Sequence, residues 1–181
     1  MSRIRITGGE WRSRLLAVPN VPSALALRPT PDRVRETLFN WLGHDLHGLS
    51  CLDLFAGSGI LGFEAASRGA TPVVMIEQDR KAFAALKTNA EGFDPQRFEL
   101  HCLDALKFAP ISPVGGFDLL FLDPPYGRGL LAQIAPRLEQ LAKPTARLYV
   151  EAEAAIDSLG GFVVVRRGQA GQVFFHLLEH R

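Results

Sequence analysis

Asp123-Pro124-Pro125-Tyr126 concentrates unusual chemistry in four residues. Its two prolines fix φ and remove two N–H donors, leaving a stiff loop that presents carbonyls. Asp123 and the Pro124 carbonyl then form an acceptor-only pair suited to gripping an NH₂ group, and Tyr126 offers a flat face on which a base can stack. Such a grip matters because the exocyclic amine of guanine or adenine is a poor nucleophile, its lone pair being delocalised into the ring. Acceptors on both N–H groups favour rotation and pyramidalisation of the amine, which localises the lone pair for in-line attack. Asp123 stabilises the positive charge developing on nitrogen. This chemistry needs no cysteine nucleophile, and Cys51 and Cys102 read as core residues of strands. The bland alternative, a proline-rich turn ending a strand, leaves the flanking Asp and Tyr unexplained.

A second constellation lies upstream. Gly57, Gly59 and Gly62 match G-x-G-x-x-G between a strand and a helix, with Glu77 twenty residues beyond Gly57. That context is the one a nucleotide-binding loop requires, the acidic residue accepting from ribose hydroxyls. Asp53 decides which nucleotide. A carboxylate four residues before Gly57 opposes a pyrophosphate but attracts S-adenosylmethionine, whose sulfonium and α-ammonium groups are both cationic. One such pairing at ~4 Å carries about 4 kcal/mol of gross Coulomb energy at an effective dielectric near 20, before desolvation is subtracted. Phe55, Ala56 and Ser58 complete the loop. The competing reading of Asp53 is a carboxylate that braces the loop.

Both constellations need a scaffold that brings them together. From residue 51 onward, apolar strand-like runs at 51–56, 72–77, 98–102, 117–123 and 146–151 alternate with helical stretches at 59–67, 79–89 and 130–141. That alternation predicts an α/β fold with a parallel sheet covered on both faces. The runs at 162–167 and 173–179 lack an intervening helix and predict an antiparallel hairpin closing one sheet edge. Within the run at 117–123, Asp118 reads as a brace or a sheet-end group. In an open parallel sheet, ligands bind beyond the carboxyl ends of the strands, so the tetrad and the glycine loop share one rim. Upstream, strand-like runs around Gly8-Gly9 predict a β-hairpin with arginines outward. A Pro-punctuated linker (Pro19, Pro22, Pro29) then leads to a helix over 32–42, with Thr30 as N-cap and Pro31 at its first position.

These motifs carry a resemblance. Asp53-Leu-Phe-Ala-Gly-Ser-Gly59 resembles the first motif of class I S-adenosylmethionine-dependent methyltransferases. That resemblance implies a Rossmann-like fold with a seven-stranded, mostly parallel sheet and a C-terminal antiparallel hairpin. It implies that Glu77 holds the ribose, that Asp104 receives the adenine amino group, and that Ala105 contributes backbone; by itself Asp104 also reads as a helix cap. The tetrad resembles those of adenine-N6 and guanine-N2 methyltransferases alike, so the base stays open. The segments 6–14, 28–40 and 53–59 together resemble bacterial small-subunit rRNA guanine-N2 methyltransferases of the RsmD type, over essentially the whole chain. This implies methylation of a guanine N2 in 16S rRNA, with Thr30 and Arg28 as contacts for the methionine end or the RNA. The turn Arg166-Arg-Gly-Gln-Ala-Gly171 departs from that family's lysine- and tyrosine-containing turn.

Composition is consistent with such an activity. The 181 residues are 47% hydrophobic and 22% charged, a profile of packed globules rather than disorder. The net charge of +1 hides an asymmetry. Residues 1–35 carry Arg3, Arg5, Arg12, Arg14, Arg28, Arg33 and Arg35 against Glu10 and Asp32, net +5, and the remainder is net −4. A basic arm on an acidic body points to phosphates of 16S rRNA or of an assembling small subunit; the rival explanation is coding bias, since Arg outnumbers Lys 16 to 4. The expected organisation is a basic hairpin extension over 1–30 and a catalytic domain over 31–181, a cytoplasmic monomer without membrane segment. The histidines lack metal-ligand spacing, so no metal is expected, and His44 and His47 read as surface residues. An adenine-N6 methyltransferase and a non-catalytic RNA-binding module remain alternatives.

Overall fold

The computed structural model describes residues 1–20, 29–108 and 116–181. Strands β1 (Ser2–Arg5) and β2 (Leu15–Val18) form an antiparallel pair, and helix α1 (Asp32–Leu42) follows. Then come β3 (Cys51–Asp53), α2 (Ile60–Ser67), β4 (Val73–Ile76), α3 (Arg80–Glu91), β5 (Phe98–His101) and β6 (Phe117–Leu122). Helices α4 (Leu130–Ile134) and α5 (Leu138–Leu141) lead into β7 (Ala142–Ala152), and β8 (Ser158–Leu159), β9 (Phe162–Ala170) and β10 (Val173–His180) complete the order.

The main sheet runs β5-β4-β3-β6-β7-β10-β9-β8. Its first five strands are parallel, and β10 inserts antiparallel between β7 and β9. The α/β architecture and the closing hairpin are thus as expected, whereas the strand count is not. The two-residue β8 pairs with β9 and makes the sheet eight-stranded, an addition too short to show periodicity in sequence.

Alternation along the strands divides the core. Cys51, Met75, Phe121 and Tyr149 face α1, α2, α3 and the β1–β2 pair, while Leu52, Val74, Leu120 and Val150 face α4 and α5. Each fully buried side chain of this size contributes roughly 1.5–3 kcal/mol. Gly62 permits the close approach of α2 to β4, since a Cβ there would lie 2.5 Å from the Met75 sulfur. The expected helix over 130–141 is broken instead: Pro136 cannot donate to the turn before it, and residues 135–137 form a 3₁₀ turn between α4 and α5.

The amino-terminal strands pair antiparallel as the expected hairpin, through a broad connection. Gly8-Gly9 belongs to a broad loop over residues 6–14, anchored where Glu10 N–H donates to the Ser67 carbonyl (2.7 Å) and Trp11 N–H to Ser67 Oγ (2.9 Å). Ile4, Ile6, Trp11, Leu16 and Val18 share the core that holds α1 and α2. The arm is bolted down by charge as well. Glu64, fully buried on α2, accepts from Thr7 N–H (2.8 Å), Thr7 Oγ1 (2.9 Å), Arg35 and Arg68. Arg35 also donates to the carbonyls of Arg5 (2.7 Å) and Thr30 (2.9 Å). Asp118 is indeed a brace, accepting from Ser50 and Lys143 beneath β6.

Candidate active site

Register builds the site. Met75, Asp53 and Phe121 sit side by side across β4, β3 and β6, and Tyr149 of β7 is level with Phe121. Two residues further along three of these strands stand Glu77, Asp123 and Glu151. Because side chains repeat every second residue, they rise on the face that Asp53 already occupies. Four carboxyl groups therefore meet at the carboxyl ends of the parallel strands. Among the described residues none of the four forms an ion pair with Lys, Arg or His.

Their protonation records this crowding. Burial pushes Asp53, 2% exposed, up to about 7, with the charges of Glu77 and Glu151 adding to the rise and N–H groups of Phe55 and Gly62 opposing it. Burial likewise raises Glu77. Asp123 is pushed well above the usual carboxylate range by desolvation, then by the charges of Glu151 and Asp53. Glu151 is raised by burial but relieved by hydrogen bonds from Thr30, Tyr149 and Asp123. Asp123 and Glu151 thus form a carboxyl pair that shares a proton, burial raising both. A cation seated among these groups would lower the pKa of each, so the donor set fits a ligand bearing positive charge.

The glycine loop closes the floor. Glu77 accepts from Gly57 N–H through Oε2 (2.8 Å) and from Asp79 N–H through Oε1 (2.7 Å), clamping the loop to the end of β4. Each oxygen retains a lone pair for a hydroxyl. Gly59 takes φ +82° at the start of α2, a left-handed conformation, and a Cβ there would strike Leu86 at 2.3 Å. Ala56 and Ser58 are buried within the loop, whereas Phe55 is half-buried.

On the outer rim, Pro124 is buried, Pro125 half-buried and the Tyr126 ring 43% exposed. Burial and the neighbouring carboxyls Asp123, Glu151 and Glu153 push the Tyr126 phenol up to about 12, so it stays neutral. Glu151 and its partner Tyr149 (OH to Oε1, 2.8 Å) belong to the site but escaped the sequence reading. Within Leu-Tyr-Val-Glu-Ala they read as strand residues, and only the register with Phe121 reveals their position.

Several expected roles are revised. Thr30 does not cap α1: its hydroxyl donates to Glu151 Oε1 at 2.8 Å, and no side chain caps that helix. Its location beside the acidic group remains compatible with a role at the cofactor. Asp104 Oδ1 accepts from Leu106 N–H (2.9 Å), capping a 3₁₀ turn at 105–107, with Ala105 buried behind it. Cys51 is buried as expected, but Cys102 is exposed because β5 ends at His101. Arg35 cannot meet RNA, being fully buried and spent on Glu64, Asp32 and backbone carbonyls. Arg5 is exposed but pairs with Asp32 (3.0 Å), and Arg14 lies over the Phe93 ring (3.9 Å). Arg3, Arg12 and Arg33 are exposed and form no ion pair among the described residues, while Arg28 lies outside those residues. His44 and His47 are exposed. Among the described residues no helix is long and apolar enough to cross a membrane, and no His/Cys/Asp/Glu group has the arrangement to hold a metal ion.

Comparison with known proteins agrees with this geometry. Residues 4–179 match the family model described as conserved hypothetical protein 95. The chain is 39% identical over 182 residues to ribosomal RNA small subunit methyltransferase D of Escherichia coli K12, covering 98% of this chain and 90% of that relative. It is 43% identical to the protein of the same name from Haemophilus influenzae, over 83% of this chain and 79% of the relative. Among solved structures, a putative methyltransferase, YhhF, from Escherichia coli superposes with a TM-score of 0.86 at 38% identity, covering 99% of both chains.

Proposed function

The chain belongs to the conserved hypothetical protein 95 family, together with the small-subunit rRNA methyltransferases D, and from that premise we propose that it methylates a guanine N2 in 16S rRNA. One observation carries the proposal: four carboxyl groups without a cationic partner among the described residues converge above the glycine loop, beside the Pro124 carbonyl and an Asp123 oxygen that can accept from an amine. S-adenosylmethionine, when bound, supplies an electrophilic methyl group on a sulfonium. Asp53 is placed to attract its cationic methionine end, Glu77 to accept from the ribose hydroxyls, and Asp104 and Ala105 to meet the adenine. Phe55, Ala56, Gly57, Ser58 and Gly59 shape the loop around it.

The reaction then depends on amine preparation at the rim. A base buried in a helix or stack must leave it to reach this pocket. Tyr126 stacks on its face, and Asp123 with the Pro124 carbonyl accepts from the amine, Pro125 keeping the loop stiff. Preorganised acceptors of this kind stabilise the charge that develops on nitrogen. The Asp123–Glu151 pair is a natural acceptor for the proton the amine must lose, and Thr30 and Tyr149 hold Glu151 in place. Arg3, Arg12 and Arg33, with Arg28, bind the phosphates; Arg5 and Arg14 contribute after their present partners exchange. We propose that the protein acts as a monomer in the cytoplasm, on rRNA or an assembling subunit.

Labelled S-adenosylmethionine incubated with undermethylated small subunits, free rRNA and duplex DNA tests the proposal. Label in rRNA, recovered as N2-methylguanosine, is the expected outcome. N6-methyladenosine as sole product, or label in DNA alone, overturns it.

A further inference from the structure

A cleft of about 350 Å³ opens on the outer side of the tetrad, lined by Tyr126, Glu153, Gln169, Gly171, Gln172 and Phe174. None of these except Tyr126 has a part in the reaction derived above. The cleft is nevertheless continuous with the reaction rim. Tyr149, Glu151 and Glu153 alternate along one chain, Glu151 against Asp123 and Glu153 just past the end of β7 beside Tyr126. Phe174 is paired with Ala152, the residue before Glu153, which brings the start of β10 beside Glu153 and lets Phe174 line the same cleft. The β9–β10 turn is fixed from within, because Gln169 Nε2 donates to the Gly171 carbonyl at 2.9 Å and leaves its amide oxygen as an acceptor.

The two aromatic rings provide flat faces, and the polar groups have a sign. Glu153 is an exposed carboxylate that, like Asp123 and the Pro124 carbonyl, offers acceptors. This bears on the question that the tetrad leaves open, whether the amine belongs to guanine or adenine. Both purines carry the amine next to ring nitrogen N1. In guanine N1 bears a hydrogen and donates, whereas in adenine it carries a lone pair and accepts. Glu153 lies one residue past the end of β7, at most roughly 6–7 Å along the chain from Glu151. A base whose amine meets Asp123 beside Tyr126 can therefore offer its adjoining N1 position to Glu153, which lines the same cleft.

We propose that Glu153 selects guanine by accepting the N1–H of the base whose amine Asp123 holds, with Tyr126 and Phe174 as the flanking walls. The inference rests on the amine-methylation reading given above and extends it to the choice of base. An adenine in the same pose sets its N1 lone pair against a carboxylate, which leaves both acceptors without a hydrogen.

The test uses small subunits reconstituted with guanine or 2-aminopurine at the methylated position. 2-Aminopurine keeps the C2 amine but presents a lone pair at N1. The native protein should prefer guanine by about 100-fold or more in kcat/KM, since a site built for a donor rejects the analogue lacking it. Glu153→Gln should lower kcat/KM on guanine about 10-fold and raise it on 2-aminopurine, because the amide Nε2 donates to N1. Glu153→Ala should lose guanine activity without that gain. Emission from 2-aminopurine, read with S-adenosylhomocysteine present, should report tighter base entry for Glu153→Gln than for the native protein, independent of turnover. S-adenosylhomocysteine affinity should be unchanged in both variants, which confirms folding. An unchanged guanine-to-2-aminopurine ratio in Glu153→Gln, or a native protein that methylates both bases equally, overturns the role of Glu153 while leaving amine methylation standing. A native protein that methylates neither removes the amine-methylation reading itself, and the base choice with it.

Discussion

Thr30 Oγ1 donates to Glu151 Oε1 at 2.8 Å, joining two buried residues 121 positions apart in sequence. This bond ties the approach to α1 to the end of β7, and it holds one member of the Asp123–Glu151 carboxyl pair. Thr30→Val removes the donor while keeping the shape. It should destabilise the protein by about 0.5–1.5 kcal/mol, the net scale for one hydrogen bond, since Tyr149 OH still donates to the same oxygen. Urea denaturation at neutral pH measures it; an unchanged midpoint would show that the bond contributes nothing.

Asp53 should make the ligand-free protein pH-sensitive in an unusual direction. Its folded pKa, about 7 against 3.8 unperturbed, means that the folded state binds this proton more tightly than the unfolded state. The associated stability is fully present below pH ~4 and is lost as pH rises towards ~7, up to roughly 4 kcal/mol. Asp53→Asn should abolish that slope, so the variant gains on the native protein between about pH 4 and 7 in paired melting curves. It should also bind S-adenosylmethionine more weakly. Parallel pH profiles for the two proteins would contradict the assignment.

Asp123→Ala should lower kcat by roughly 10²–10³, the scale for one preorganised polar partner of a transition state. Cofactor affinity, measured by calorimetry with S-adenosylhomocysteine, should survive. Tyr126→Ala should chiefly raise KM by removing about 1–3 kcal/mol of stacking, and Tyr126→Phe should be mild. Full turnover by Asp123→Ala would remove the tetrad from the chemistry.

How far the site could be read from sequence depended on whether a residue's role was local. The glycine loop and the tetrad declare themselves through neighbours a few residues away, and Glu77 through its spacing of twenty residues from Gly57. Glu151 does not, since its meaning comes from lying level with Asp123 across a parallel pair, and register between distant strands leaves no mark in either strand. Arg35 shows the converse error. Its position in an arginine-rich segment suggested a phosphate partner, but Glu64 lies in an apolar helix where nothing local announces a buried counter-charge. The fold class survived these misses because the alternation of apolar strands and helices recurs along the chain, whereas the two-residue β8 and the Pro136 break are single events.

Arginines that look equivalent in sequence should therefore separate experimentally. Replacing Arg3, Arg12 and Arg33 by Ala should leave stability nearly intact and flatten the salt dependence of RNA binding, by about 0.7–0.9 in log–log slope for each phosphate no longer neutralised. Arg35→Ala instead leaves Glu64 short of a counter-charge in the interior, and should cost about 3–5 kcal/mol of stability. Equal effects on stability from both sets would contradict the burial pattern.

The antiparallel insertion of β10 has a consequence for how the molecule is made. Each of its two partners, β7 and β9, precedes it along the chain, so during synthesis both leave the ribosome before the strand that must join them. Until Val173–His180 arrives, the long edge of β7 presents unpaired N–H and C=O groups beside a half-built core. An exposed edge of that length is a template for pairing with other chains, and pairing delayed in this way is exposed to aggregation. Nascent chains stalled before residue 173 should accordingly be insoluble or held by chaperones, and sheet completion should coincide with translation of the final strand.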